Sequence, residues 1–170
     1  MDTAKQEILG RLGEGESALC AALAGIDLEA ASAKAAPDHW SILEIVEHLA
    51  ASEALLLGQL RRATATDISC ADPAREARLE SLALNRERRI DAPEPVLPQG
   101  NCANLAEALE RFHAVRMETM QWLQAFEGDL RSWLAVHPLI ARPVNCYEML
   151  LLMALHPIRH TAQIREIRRA

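Results

Sequence analysis

Three stretches of this chain open with the same signal: Ser or Asn, then Glu three residues later. The pairs are Ser41 with Glu44, Asn104 with Glu107 and Asn145 with Glu148. In such a box the first side chain accepts from the amide three residues on, and the glutamate reaches back to the amide of the cap. Each pair is followed by apolar side chains at helical spacing. In "WSILEIVEHLAASEALLLGQLRR" the stripe is Ile42, Ile45, Leu49, Leu56 and Leu60. In "NLAEALERFHAVRMETMQWLQAF" it is Leu105, Leu109, Phe112, Met120 and Leu123. In "NCYEMLLLMALHPIRHTAQIREIRR" it is Met149, Leu152, Met153, Ile164 and Ile167. A fourth segment, from about Thr3 to Ala24, lacks the box but repeats Ile8, Leu12, Leu19 and Leu23. Alanine and leucine dominate while β-branched and aromatic residues are few, which favours helix over strand. The chain reads as all-α, with four long amphipathic helices that must bury their stripes against one another.

The connections set the topology. Roughly forty residues separate the second and third helices, well beyond the usual link in a compact domain. Within them "PAREARLESLALNRERR" reads as a further, exposed helix, and "APEPVLPQGN" is too broken by proline and glycine for regular structure. A connection this long lets the second and third helices run parallel, as in bundles with a crossover. The link "EGDLRSWLAVHPLIARPV" is shorter and also broken by proline. No repeat or boundary interrupts the chain, so residues 1–170 are expected to form one domain.

Several classes of function are disfavoured. The net charge is −6, and a nucleic-acid binder would present a basic face. The one basic run, "REIRRA", reads as a solvated helix end, where positive charge suits the dipole. Cys20, Cys70, Cys102 and Cys146 are far apart, so no CxxC zinc or redox pattern exists. The start "MDTAKQEILG" has no apolar signal core, and "MLLLMAL" is too short to span a bilayer. The expectation is a soluble protein of a reducing cytoplasm.

The candidate chemistry lies in "MALHPIRHTAQI". At about 100° per residue, His156 and His160 fall about 40° apart on the face that carries Met149, Met153 and Ile167, with Gln163 beside them. Arg159 points away, near Leu152. Both imidazoles therefore aim at the bundle interior. They are not the HExxH pair of metalloproteases, because Pro157 and Ile158 follow His156 and no glutamate base comes with them. His48 sits at the edge of the second helix's stripe and joins the pair if the second and fourth helices are neighbours. Three neutral imidazoles leave a metal with open positions, the layout of catalytic sites. The competing reading is a set of core histidines satisfied by hydrogen bonds, and spacing does not decide between them. His39, His113 and His137 show no partner pattern and read as surface or loop residues.

Three further residues stand out. Pro157 removes the amide that would bond to the Met153 carbonyl and should kink the last helix; the kink is either tolerated or aims the two histidines. Glu53 lies in the middle of the second helix's stripe, and a carboxylate there needs a partner or a raised pKa. Arg116, on the inward side of the third helix, is its candidate partner; a structural ion pair is the better reading, a catalytic base the alternative. Trp40 precedes the second helix and either staples its first turn or lines a pocket.

Taken in order, "WSILEIVEHLAASE", "NLAEALERFHAVRMETM" and "HPIRHTAQI" resemble the DinB-like (DinB/YfiT-like) superfamily, along nearly the whole chain. "RRIDAPEPVLPQG" is similar to the family's crossover and "LAVHPLIARPVNCYEML" to its entry into the last helix. The resemblance implies a four-helix bundle of up-down-down-up type. It implies a divalent metal, often nickel or zinc, on one histidine of the second helix and two of the last, here His48, His156 and His160. It implies thiol S-transfer with bacillithiol or a similar low-molecular-weight thiol, mycothiol-dependent isomerisation, or metal-dependent hydrolysis of a small molecule, often in a homodimer. Trp40, Gln163 and Arg159 are then candidates to orient substrate. No catalytic base is identifiable, so a non-catalytic bundle with a structural or vestigial metal, acting through dimerisation or a partner, stays open. Pro157 departs from the family's usual residue after the first histidine of the pair.

Overall fold

The computed structural model describes residues 2–169. Four long helices carry the apolar stripes: α1 (Thr3–Leu23), α3 (Ile42–Leu60), α5 (Leu105–Ala125) and α6 (Cys146–Ile167). Two short helices lie outside the bundle, α2 (Leu28–Ser32) and α4 (Pro73–Leu84). Ser41 and Asn145 form complete capping boxes with Glu44 and Glu148. At α5 only half the box closes. The Asn104 side chain accepts from the Glu107 amide, while the Glu107 carboxylate takes the Ala103 amide instead.

α1 packs along α6, and α3 along α5. Leu12 lies in one apolar cluster with Leu151 and Met153, and Leu19 in another with Ile164, so α1 and α6 run parallel. Ile45 and Leu49 share the second cluster with Ala108 and Phe112, so α3 and α5 run parallel too. The topology is the up-down-down-up four-helix bundle, closed by the long crossover between α3 and α5. α4 belongs to that crossover. It buries no residue and is held by charge, Arg75 to Glu148, Glu76 to Arg131 and Glu80 to Arg11.

The connections also hold strands that the proline-broken sequence did not announce. β1 (Thr64–Ala65), β2 (Trp133–Ala135) and β3 (Val144–Asn145) form an antiparallel sheet in the order β1-β2-β3. Leu134 pairs with both Thr64 and Asn145. This sheet ties the end of α3 to the entry of α6.

The two apolar clusters meet at a polar layer. Along α3 the first cluster holds Leu56 and the second Leu49; Glu53 lies between them. Along α5 Arg116 lies between Leu123 and Phe112, and along α1 Gly15 lies between Leu12 and Leu19. Along α6 the stretch from His156 to His160 lies between Leu155 and Ile164. Glu53 and Arg116 are both buried there. Arg116 Nε stands 3.0 Å from Glu53 Oε1, and Nη2 donates to Oε2 at 3.0 Å. Burial pushes the Glu53 carboxyl up, the facing guanidinium pulling against it.

Pro157 does not end α6, which is continuous from Cys146 to Ile167. Gly15 makes room for it. A Cβ at Gly15 would lie 2.5 Å from the Ala154 carbonyl oxygen and 3.0 Å from Pro157 Cγ.

Candidate metal centre

α3 and α6 are neighbours, and their packing brings His48, His156 and His160 together. One ring nitrogen from each lies within 4.8 Å of the others. His156 Nε2 is 3.3 Å from His48 Nε2 and 3.0 Å from His160 Nε2. The outer nitrogens of two rings are engaged. His48 Nδ1–H donates to the Val96 carbonyl at 2.8 Å, and His160 Nδ1–H donates to Gln163 Oε1 at 2.8 Å. These acceptors fix the tautomer, so both Nε2 atoms present lone pairs to His156. One proton on His156 Nε2 serves only one of the two, and the Ser52 hydroxyl, 3.4 Å from His48 Nε2, is the other donor in reach. A cation at the point of convergence satisfies all three.

The spacing fits such an ion. Nitrogen ligands about 2.0–2.1 Å from a metal stand about 2.9 Å apart at right angles and about 3.4 Å apart in a tetrahedron. The two separations from His156 Nε2, 3.0 and 3.3 Å, lie inside that window, and the third pair lies within 4.8 Å. Burial holds all three imidazoles neutral. His160 is pushed down to about 3 by desolvation and then by His48. His156 is pushed well below its ordinary value by burial, then by His160 and His48. His48 is lowered by burial, with the Val96 carbonyl opposing. Neutral imidazole is the ligating form.

The three rings open on a cavity of about 780 Å³, in the range of small-molecule sites. Trp40 forms part of its wall, with its ring centroid 4.7 Å from that of His48. Gln163 and Leu152 line it too. The Arg159 side chain also lines the cavity, but its guanidinium donates to the carbonyls of Ala83, Asn85 and Arg88. On α3, Glu47 accepts from the amides of Gln99, Gly100 and Asn101. The residue before His48 and the residue before His160 thus hold the two ends of the crossover wall, and Val96 of that wall orients His48 itself.

His39 and His137, which the sequence leaves among surface and loop positions, also reach this cavity. Both lie outside the long helices, where a helical wheel assigns no direction. His137 is pushed down to about 4 by burial. His113 is on α5 and faces Glu16 at 2.7 Å instead.

Fold and site together define a four-helix bundle that gathers three histidines from two helices at the floor of a cavity. The chain belongs to the DinB superfamily, whose family model matches residues 11–164. Three solved structures share the fold. A conserved protein from Enterococcus faecalis superposes with a TM-score of 0.67 at 16% identity, covering 99% of this chain and 96% of that one. YfiT from Bacillus subtilis, described as a probable metal-dependent hydrolase with an unusual four-helix bundle topology, gives 0.63 at 16% identity, covering 99% and 89%. TT2238, a four-helix bundle protein, gives 0.56 at 24% identity, covering 95% and 98%. No curated protein matches the sequence. Among the described residues, no helix is long and apolar enough to cross a membrane.

Proposed function

We propose that this chain is a metal-dependent enzyme acting on a small molecule in the cavity. His48, His156 and His160 would hold a divalent ion, nickel or zinc, through their Nε2 atoms. The observation that carries this reading is the convergence of three Nε2 atoms, two of which have their Nδ1–H groups committed to Val96 and Gln163. A divalent ion held there supplies a Lewis acid that stabilises the anion of a thiol or of water.

The chain's own residues do the rest. The Val96 carbonyl and Gln163 Oε1 hold two rings in the ligating tautomer. Trp40 and Val96 of the crossover wall line the cavity beside the histidines. Among the described residues the three-histidine cluster contains no carboxylate, while Asp38, Asp91 and Glu166 line the cavity beyond it. A low-molecular-weight thiol ionises readily and would displace a leaving group from an electrophilic carbon without a base at the cluster. S-transfer is the first version of the reaction. Hydrolysis is the second, supported by the likeness to YfiT. The same reading expects a cytoplasmic homodimer: the four cysteines are free thiols, and Val136 and Leu139 stand exposed.

Metal content of untagged protein, measured by plasma mass spectrometry, tests the reading. One equivalent of zinc or nickel per chain is expected, and it should be lost in His160→Ala with helicity and melting temperature nearly unchanged. No uptake even after reconstitution would leave the histidines as core residues and overturn it. A collapse of melting temperature together with metal content would make the ion structural instead.

A further inference from the structure

α6 carries two ligands of the proposed centre on either side of a proline. Pro157 has no amide to give to the Met153 carbonyl. That carbonyl nevertheless has a donor: Arg116 Nη2, at 3.1 Å. Arg116 belongs to α5, has 0% exposure, and uses its other terminal nitrogen on the Leu12 carbonyl of α1 at 3.0 Å. Glu53 of α3 takes the remaining edge of the guanidinium. One buried side chain of α5 therefore bonds to the other three bundle helices at the turn before His156.

We infer that Arg116 is a positioning residue for the histidine pair: its guanidinium replaces the helix donor that Pro157 lacks and fixes the turn from which His156 and His160 project. This rests on the metal reading of those histidines. Glu53 orients the guanidinium, which gives the buried carboxylate a role without acid–base chemistry. Gly15 completes the arrangement, since only a residue without Cβ leaves space for the Ala154 carbonyl and the proline ring.

A generic buried ion pair would stabilise the bundle whether or not residue 157 had an amide. A positioning role through the Met153 carbonyl couples Arg116 to Pro157 specifically. The test is a cycle of variants read by zinc titration and by the visible spectrum of the cobalt-loaded protein. Arg116→Met with Glu53→Met removes both charges together and leaves neither stranded. Zinc affinity is expected to fall 10–100-fold, the usual effect of losing a group that orients ligands, with an altered cobalt spectrum. Adding Pro157→Ala restores an amide to Met153 and is expected to bring affinity back to within about threefold of the starting protein.

Where the double variant does not fold, Arg116→Lys serves instead. It keeps the charge opposite Glu53 but lacks the fork that reaches both partners, and the same loss and rescue are expected. Unchanged affinity and spectrum in a folded variant, or a loss that Pro157→Ala does not repair, would overturn the inference while leaving the metal reading intact. A parent protein that takes up no zinc or cobalt would overturn the metal reading, and the inference with it.

Discussion

α1 contains three glycines that meet different surroundings, and the contrast makes a quantitative test of the packing. A Cβ at Gly10 or Gly13 would meet nothing within 4 Å. Glycine in a helix interior costs about 0.5–1 kcal/mol relative to alanine. Gly10→Ala and Gly13→Ala should therefore each stabilise the bundle by about that amount. At Gly15 the same methyl would lie 2.5 Å from a backbone oxygen of α6, a distance that requires the two helices to part. Overpacking of this kind costs about 1–3 kcal/mol. Set against the propensity gain, Gly15→Ala should lose about 0–2.5 kcal/mol net, centred on about 1. For a chain of this size 1 kcal/mol moves the melting temperature by about 2–4 °C. Gly15→Ala should thus melt a few degrees below the parent, and the other two slightly above it. Urea unfolding followed by far-ultraviolet circular dichroism measures all three. If Gly15→Ala proves as stable as Gly13→Ala, the close approach of α1 to the Pro157 turn is wrong, and with it the reason α6 passes through a proline unbroken.

Other perturbations test other parts of the molecule. Phe112 has 0% exposure in the second apolar cluster; Phe112→Ala should cost about 3–5 kcal/mol, read by the same urea titration. Burial pushes the Cys146 thiol up to about 12, so at mildly alkaline pH it should resist a thiol reagent that modifies exposed Cys20, becoming reactive only in denaturant. His137 and His160 are held near 4 and near 3 in the folded chain, against about 6.5 when unfolded. Below about pH 6.5 the unfolded chain binds more protons, so this stability is fully present above that pH and is lost as pH falls, through about 4 for His137 and about 3 for His160. The melting temperature of the metal-free protein should decline across that window, and a flat profile would contradict the burial of these rings.

How far the sequence reaches is set by periodicity. The four long helices were legible because their stripes recur at helical spacing on both sides of one polar layer and three carry a cap-and-glutamate signal. The start of α3 falls where Ser41 places it, and α1 ends at Leu23, one residue before the expected Ala24. The crossover was legible as a length and as an exposed helix, which is α4 (Pro73–Leu84), but not in how that helix is held: Arg75, Glu76 and Glu80 make ion pairs, contacts with no periodic signature. The β1-β2-β3 sheet pairs only two or three residues per strand, too few for an alternating pattern to emerge. The direction of His156 and His160 followed from a wheel. That Val96 and Gln163 hold the rings did not: Val96 lies in a loop, and Gln163 acts through a side-chain torsion the wheel does not fix. His137 was missed because its chain segment has no period at all.

The arrangement around the cavity explains why so long a connection can be part of it. Closing a long loop costs only slowly more entropy as it lengthens, but fixing its shape requires contacts, and this loop buries little apolar surface. The chain supplies polar anchors instead, placed one residue before two of the three histidines. Glu47 gathers the amides of residues 99–101, and Arg159 gathers the carbonyls of Ala83, Asn85 and Arg88. Charge-assisted bonds of this sort contribute about 1.5–3 kcal/mol each, enough together to hold a loop that packing alone would leave mobile. Each anchor shares a helical turn with a histidine, which ties the wall of the cavity to its floor. Glu47→Gln should therefore speed amide exchange across residues 97–103 and, through the Val96 carbonyl, free the ring of His48. If exchange there is unchanged, the crossover is held by something other than the helices that carry the histidines.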